Sequence, residues 1–376
     1  MSISRQRAVT PFAARPAAWA TTTTSSWSRR MALVIALAIA LVMTSIGAEA
    51  TDHLRKPRVA ELASFASGPC TDDVCGSGST IGPDGALYVT DSTKGRIRRI
   101  DLRRGSVTTY ADGLPRQIEG VVGGGVVDVA FLGRTAYVLV SGVNEFFTEL
   151  TGSSNPPAAD GIYRLDRVGR GLTRATLVAD IYTWSAADAN RPQNPSYFIP
   201  GGFTYAMEPY GRGFLVTDAH HNRVLRVGLD GAISVFHGFA QNVAPTGLER
   251  LGDAVLVGQA GPVPHTPKAG RVVAVWRSSD RVVPVASGAP LLVDVEIGQR
   301  NRLYGLAQGD WPYEGQEGKE GFPAAPNTGY LMRADSDGQF RKVVSGLDRP
   351  TTFELIGNTA YVVTLTGKVL RISGLS

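Results

Sequence analysis

The sequence predicts an all-β fold, a six-bladed β-propeller whose blades are four-stranded antiparallel sheets. Three observations predict it. A strand–turn–strand pattern recurs six times, and each copy has turn residues at the same positions. In addition, residues 58–64, ahead of the first copy, supply a strand that the last copy lacks. One such sheet cannot bury both of its faces, so the copies are expected to pack in a ring. The 376 residues, with 44 Gly and 22 Pro, suffice for one such domain.

The N-terminal segment is different in kind from the rest. Residues 1–30 are rich in Ser, Thr and Arg and contain no acid, an apolar run covers residues 31–43, and Ala48-Glu49-Ala50 follows as a cleavage pattern. We expect residues 1–50 to be a secretory signal peptide and residues 51–376 to be one propeller domain. An uncleaved N-terminal membrane anchor is the alternative. The Arg29-Arg30 pair leaves the choice between general and twin-arginine export open.

Charge and cysteine usage bear on partners and compartment. Beyond the leader the chain has 33 basic and 32 acidic residues, a net charge of +1, which argues against a nucleic-acid partner. No later apolar run is long enough to cross a membrane. Cys70 and Cys75 are the only cysteines, and in an exported chain they predict a small-loop disulfide. We expect a monomer in the periplasm or outside the cell.

The third copy shows the repeat most clearly. Strand candidates cover Phe203–Met207, Phe214–Thr217, Arg223–Val227 and Ala232–His237, and Gly, Pro, Asp and Asn separate them. Runs of β-branched and aromatic residues bounded by turn residues are typical of an antiparallel meander.

The other copies align with it at their second and third strands. The second strands are centred on Tyr88, Tyr137, Leu215, Leu256, Tyr304 and Tyr361. The third strands cover 95–101, 161–166, 222–227, 270–275, 329–335 and 367–372. The sixth copy has no room for a fourth strand, and we predict that Arg58–Ser64 completes it and closes the ring. An open ring of five or seven blades is the alternative.

The repeat also predicts two unlike faces. Connectors from strand one to two and from three to four are short turns on one side, here called the tight-turn face. The other connectors belong to the opposite side, here called the loop-rich face, and they hold almost every insertion: 68–78, 114–125, 142–160, 181–202, 259–269 and 308–328. Because long loops cost ordering entropy, we expect this face to bind something or to cover a site.

Aromatic and imidazole side chains are concentrated in those insertions. A ring formed by residues such as Trp184, Tyr197, Trp311 and Tyr313 suits a small, partly apolar ligand; the alternative is that they pack the insertions onto the disc. Asp218, His220, His221 and His265 lie in loop-rich connectors of neighbouring copies. They are candidates for a metal site or a general base, and the alternative is an ordinary exposed surface.

Acidic residues recur on the inner strands that line the bore. Asp128 and Asp294 are expected near the mouth of the channel, and glutamates follow two residues further along in four copies: Glu208, Glu249, Glu296 and Glu354. A partial ring of carboxylates, with Asp128, Asp294, Glu296 and Glu354 as the metal candidates, could hold Ca²⁺ or another divalent cation. The alternative is ion pairing with basic residues near the tight-turn face, namely Arg134, Arg250, Arg300 and Arg302.

Several stretches resemble the ScyD/ScyE family of exported propellers, which is related to NHL-repeat and gluconolactonase-like six-bladed propellers. The stretches are 127–131, 179–182, 194–195, 214–219, 222–227 and 245–247. The resemblance covers the whole mature chain and implies the fold more strongly than an activity. Gluconolactonase-like relatives hold a divalent cation with Glu and Asn at the bore, and matching Asn residues are not evident at the inner-strand starts here.

Two functions follow as expectations. The first is an extracytoplasmic propeller that is not an enzyme and binds a small molecule or a protein partner on its loop-rich face. The second is a metal-dependent hydrolase of the gluconolactonase or strictosidine-synthase kind, using Asp128, Asp294 and His220 or His221 around a cation. The missing set of converging Asn and Glu ligands at the bore favours the first, and the sequence contains no nucleophile elbow, HExxH or P-loop motif.

Overall fold

The computed structural model is a six-bladed β-propeller, as the sequence predicts. It describes residues 56–65, 75–167, 173–188, 198–277, 279–316, 319 and 321–375. Within this part of the chain, six antiparallel sheets have four strands each. Consecutive strands pair in five of the blades, so that each blade runs from the bore outward.

The blades are numbered in chain order. Blade 1 contains β2 (Gly76–Ile81), β3 (Leu87–Asp91), β4 (Arg96–Ile100) and β5 (Val107–Ala111). Blade 2 contains β6 (Gly125–Leu132), β7 (Thr135–Ser141), β8 (Gly161–Arg167) and β9 (Thr173–Asp180). Blade 3 contains β10 (Thr204–Pro209), β11 (Gly213–Asp218), β12 (Arg223–Gly228) and β13 (Ile233–Gly238).

The second half repeats this organisation. Blade 4 contains β14 (Pro245–Leu251), β15 (Ala254–Gln259), β16 (Gly270–Trp276) and β17 (Ser279–Ala289). Blade 5 contains β18 (Leu292–Ile297), β19 (Leu303–Ala307), β20 (Gly329–Ala334) and β21 (Phe340–Leu347). Blade 6 contains β22 (Pro350–Ile356), β23 (Thr359–Thr364), β24 (Lys368–Ser373) and, as its outer strand, β1 (Arg58–Ser64).

Ring closure follows the prediction. Strand β1 pairs antiparallel with β24, from Arg58 opposite Ser373 to Ser64 opposite Lys368. The pairing removes the open edge that β24 would otherwise present to solvent. No helix among the described residues is long and apolar enough to cross a membrane.

The core lies between the blades rather than at one centre. Every residue of β3, β11 and β19 is buried, because the second strand of a blade is covered on both faces by its neighbours. Outer strands are less covered, and three of the six residues of β13 are exposed. The second strands therefore carry nearly continuous apolar runs, which is the signal that made their register readable in the sequence.

The spare chain lies on one face, also as predicted. The long connectors 142–160, 260–269 and 308–328 join second to third strands, and 112–124 and 181–203 join an outer strand to the next inner strand. In an antiparallel up-and-down blade these two connector classes share one side of the disc. Two short helices lie in these insertions, α1 (Glu145–Thr151) and α2 (Ile181–Ala187).

Candidate ligand cavity and the loop-rich face

A cavity of about 160 Å³ lies in the bore of the ring. Inner strands of all six blades line it, and its polar side chains are Ser77, Ser79, Thr80, Asp128, Tyr205, Glu208, Glu249, Asp294, Glu296, Thr351, Thr352 and Glu354. None of the lining residues is Lys, Arg or His. The cavity is therefore strongly acidic in composition and has no basic side chain in its wall.

The four glutamates occupy one structural layer. In each of blades 3 to 6, the glutamate of the inner strand pairs with the second-strand residue on which the repeat is aligned. The pairs are Glu208 with Leu215, Glu249 with Leu256, Glu296 with Tyr304, and Glu354 with Tyr361. In blades 1 and 2 the same position holds Thr80 and Ala130. The carboxylates thus come from four consecutive blades, 3 to 6, and this repetition was visible in the sequence.

Enclosure and mutual repulsion change the protonation of this layer. Burial, followed by the nearby Glu249 and Asp128, raises the pKa of Glu208 to about 8. Burial raises the pKa of Glu249 to about 7. Burial, with the neighbouring carboxylates next in importance, raises the pKa values of Glu296 and Glu354 well above the usual range. The layer consequently holds protons near neutral pH unless a cation replaces them.

No ion pair joins the four glutamates to the predicted arginine partners in the described part of the chain. The positive charge of Arg250 lowers the pKa of Glu208, but burial and the neighbouring carboxylates have a larger effect in the opposite direction. The guanidinium group of Arg250 lies 5.4 Å from the ring centre of Tyr210. The described residues therefore give no support to the alternative of ion pairing with Arg134, Arg250, Arg300 or Arg302 near the tight-turn face.

Asp128 lines the cavity and also connects neighbouring blades. Its Oδ2 atom accepts a hydrogen bond of 2.7 Å from the backbone N–H of Met207 in blade 3, and Oδ1 accepts one of 2.8 Å from its own neighbour Val129. The side chain crowds Gly78 of blade 1, where a Cβ atom would lie 2.2 Å from Oδ1. Burial raises the pKa of Asp128 to about 8.

Asp294 makes the same connection three blades further on. Its Oδ2 atom accepts from the backbone N–H of Phe353 at 3.0 Å and from the hydroxyl of Thr352 at 2.9 Å, and Oδ1 accepts from the N–H of Val295. A Cβ atom on Gly247 would lie 2.3 Å from its Oδ1. Both predicted catalytic aspartates are therefore bridges between blades, because their oxygens are already engaged by backbone donors.

The residues present do not fit a resident divalent cation. Among the described residues, no group of three or more His, Cys, Asp or Glu side chains is arranged so that it could hold a metal ion. Asp128 and Asp294 use both of their oxygens for hydrogen bonds within the ring. Ca²⁺ requires six to eight converging oxygens, so the four named metal candidates do not form such a site here.

The histidine pair is buried, which corrects the expectation of an exposed surface. His220 and His221 are 2% and 0% exposed. The Nδ1 atom of His221 lies 2.9 Å from Oδ2 of Asp218, and Nε2 of His220 accepts the backbone N–H of Ile199 at 3.0 Å. Burial lowers the pKa of His220 to about 4. Burial alone would raise the pKa of Asp218, but His221 and Arg223 hold it below its usual value.

Arg223 extends this cluster into the insertion that contains α2. Its Nε atom donates to Asp218 at 3.1 Å, and its terminal nitrogens donate to Asp188 and Ser185, each at 2.8 Å. No residue of the cluster lines the axial cavity. The sequence singled out Asp218, His220 and His221 but not Arg223, and the cluster anchors residues 181–188 and 198–203 on blade 3.

The predicted aromatic residues form packing clusters. Trp311 contacts His265 and Tyr313 edge-on, each at 5.6 Å between ring centres, and Tyr313 contacts Phe322 at 5.7 Å. Burial lowers the pKa of His265 to about 4. Trp184 lies under the guanidinium group of Arg223 at 5.3 Å. These contacts favour the alternative that the aromatics pack the insertions.

Two predicted residues lie outside the described part of the chain. Tyr197 is one, so its place on the loop-rich face stays a prediction. Cys70 is the other, and the disulfide with Cys75 likewise stays a prediction. The sequence analysis missed Tyr205, which lines the cavity but is not repeated at that position in the other blades.

Comparison with known proteins supports the fold. No protein-family model matches the chain, and no curated protein matches its sequence. A gluconolactonase from Xanthomonas campestris is similar in structure, with a TM-score of 0.54, 12% identity, and coverage of 85% of this chain and 90% of that one. Virginiamycin B lyase from Staphylococcus aureus gives a TM-score of 0.50, 13% identity and coverage of 85% and 99%. A streptogramin B lyase gives a TM-score of 0.51 and 11% identity, with coverage of 86% of this chain and 99% of that one.

Proposed function

We propose that this protein is an exported binding propeller that takes a small, positively charged organic molecule into its axial cavity. The observation that carries the proposal is the composition of the cavity wall, which has carboxylates from blades 2 to 6 and no Lys, Arg or His. The loop-rich face, where the insertions surround the ends of the inner strands, is the proposed entrance.

A protonated amine matches the electrostatics of this cavity. With no ligand, the glutamate layer is kept neutral by protons, as the raised pKa values indicate. A bound ammonium group lets carboxylates ionise and forms charge-assisted hydrogen bonds, which are roughly twice as strong as neutral ones. The ring of Tyr205 also lines the cavity and adds a surface on which a cation can lie. The volume of about 160 Å³ suits a molecule of a few heavy atoms.

An organic cation is favoured over a metal ion on geometry. A metal needs several oxygens at fixed short distances, and the described residues do not supply that arrangement. An amine needs only one or two carboxylates within hydrogen-bonding distance, and the four glutamates surround the axis from consecutive blades. A neutral sugar carries no charge that would let the protonated layer ionise.

Binding can be tested by isothermal titration calorimetry. The probes are putrescine, tetramethylammonium and glucose, at fixed ionic strength. We expect saturable binding of putrescine, weakened about tenfold or more in Glu296→Gln and Glu354→Gln, because a charge-assisted hydrogen bond contributes about 1.5–3 kcal/mol. Glu149→Gln, on the exposed surface of α1, is the matched control and should bind like the parent protein. Equal binding by all three variants, or none by the parent, would refute the proposal.

The metal-dependent hydrolase is the alternative outcome of the same measurements. Stoichiometric Ca²⁺ or Zn²⁺ in purified protein, lost in Glu296→Gln, together with hydrolysis of lactones or aryl esters, would replace the binding proposal. The structural neighbours do not decide between binding and hydrolysis, because sequence identities of 11–13% support a likeness in fold only.

Export and family membership are part of the proposal. The leader with its Ala48-Glu49-Ala50 pattern supports export, and the stretches described above support the ScyD/ScyE likeness. Mass spectrometry of the protein secreted by an expression host should find a mature N-terminus at Thr51. A chain that stays in the membrane fraction with residues 1–50 intact would instead support an N-terminal anchor.

A further inference from the structure

A second cavity opens on the tight-turn face, between blades 5 and 6. It has a volume of about 170 Å³. Its polar lining comes from Gln299, Arg300 and Arg302 in the turn between β18 and β19, from Tyr304 at the start of β19, and from Asn358 in the facing turn of blade 6. The wall contains no acidic residue. It is thus the electrostatic opposite of the axial cavity.

Both arginines lack an acidic partner in the part of the chain that the structure describes. Elsewhere, eight arginines form ion pairs with aspartates: Arg96, Arg98, Arg99, Arg164, Arg174, Arg223, Arg341 and Arg349. Arg300 and Arg302 are two of the four arginines that the sequence suggested as partners for the bore glutamates, and no ion pair joins either of them to a carboxylate among the described residues. Two guanidinium groups in one concave wall offer a planar, multidentate surface for an anion.

The turn that carries them has an unusual backbone. Arg300 and Asn301 both have positive φ values, 60° and 55°, in the left-handed region that non-glycine residues rarely occupy. Hydrogen bonds from the N–H of Gly298 to the carbonyl of Arg302 and from the N–H of Arg302 to that of Gln299 close the turn. The amide nitrogen of Gln299 lies near Gly357 of blade 6, so the turn leans across the seam between blades. Positive φ at two successive residues is the geometry of a type I′ hairpin turn, which fixes the backbone that carries Arg300 and Arg302.

We propose that this cavity binds a small oxyanion, namely the phosphate, sulfate or carboxylate group of an external molecule. Arg300 and Arg302 supply the positive charge, and the side-chain amides of Gln299 and Asn358 are the neutral donors in the same wall. The site is separate from the axial cavity, and it stands or falls independently of the cation proposal.

Titration of the purified full chain tests this inference. The probes are inorganic phosphate, sulfate and acetate, measured by calorimetry or by NMR against sodium chloride of equal ionic strength. The test variants are Arg300→Gln and Arg302→Gln, and Arg134→Gln is the matched control. Arg134 is an exposed arginine of the two-residue turn between β6 and β7 on the same face. Thermal unfolding of each variant checks that it folds.

We expect saturable phosphate or sulfate binding that both test variants weaken about tenfold or more and that the control leaves unchanged. Arg300→Lys keeps the positive charge but not the planar, two-pronged guanidinium group, so it should lose less anion affinity than Arg300→Gln. Acetate binding with the same variant dependence would identify a carboxylate as an accepted group, and its absence would restrict the site to tetrahedral anions. The inference is overturned if phosphate, sulfate and acetate all fail to saturate, or if Arg134→Gln weakens binding as much as the test variants.

Discussion

The acidic bore should make the protein less stable as the pH rises from 6.5 to 8.5. Unfolded carboxyl groups titrate near pH 4, so in this range the unfolded chain has released their protons. In the folded state the pKa is about 7 for Glu249 and about 8 for Asp128 and Glu208, and it lies well above the usual range for Glu296 and Glu354. The folded protein therefore binds more protons than the unfolded chain, and the free energy of unfolding falls by about 1.4 kcal/mol per pH unit for each extra proton.

The window is chosen so that other groups do not reverse the sign. Burial lowers the pKa values of His220, His237 and His265, and these residues oppose the trend mainly below about pH 7, where a growing fraction of unfolded histidine is charged. Burial also raises the pKa of Asp160 in blade 2 to about 7, which acts in the same direction as the bore. Variants are thus needed to assign the effect to the glutamate layer.

Glu354→Gln and Glu296→Gln provide that assignment. For Glu249, a pKa raised from 4.5 to about 7 corresponds to a cost on the order of 3 kcal/mol above pH 7. A neutral amide in the same layer removes a charge and relieves its neighbours. Each variant should therefore raise the free energy of unfolding at pH 8.5 by about 1–3 kcal/mol relative to the parent protein, and by less at pH 6.5.

Urea unfolding at pH 6.5, 7.5 and 8.5, with constant ionic strength and no amine buffer, measures these quantities. Glu149→Gln on the surface of α1 should leave the pH dependence unchanged. The reasoning fails if parent stability rises across this range, or if Glu354→Gln destabilises the protein equally at every pH.

Three further predictions concern the ring itself. Asp128→Asn should lower the free energy of unfolding by about 1–3 kcal/mol in urea titrations, because an amide NH₂ would face the N–H of Met207; a neutral effect would contradict the bridging role. His220→Gln should reduce the loss of stability between pH 6.5 and pH 4.5, because neutral His220 accepts a hydrogen bond from the N–H of Ile199. If the free energy of unfolding falls as steeply with acidification in the variant as in the parent protein, this role of His220 is excluded. Deletion of Arg58–Ser64 should expose the edge of β24 and produce oligomers in size-exclusion chromatography, and a stable monomer would show that closure is dispensable.

Local patterns were enough to predict the fold. The strand register, the ring closure by Arg58–Ser64 and the single loop-rich face all follow from repeats that are visible within one copy or between copies. The glutamate layer was found for the same reason, since Glu208, Glu249, Glu296 and Glu354 recur at one register position.

The roles of individual site residues could not be predicted in this way. The carboxylate of Asp128 accepts a hydrogen bond from the backbone N–H of Met207, 79 residues away in the chain. The burial of His221 depends on Arg223 and on the insertion around Ser185. Such contacts arise from the packing of segments that are distant in the chain, and no spacing within the sequence encodes them. The alternative that Arg300 and Arg302 pair with the bore glutamates finds no ion pair among the described residues, for the same reason.

The two aspartate bridges show how the ring can hold an acidic cavity. Gly78, Asp128 and the N–H of Met207 connect blades 1 to 3, and Gly247, Asp294 and the N–H of Phe353 connect blades 4 to 6 in the same way. These contacts fix adjacent inner strands on the loop-rich side of the glutamate layer, where repulsion between ionised carboxylates would otherwise separate the blades. By linkage, a cation that lowers the pKa values of the layer must release protons when it binds, so its affinity should increase with pH over the same range in which the empty ring loses stability.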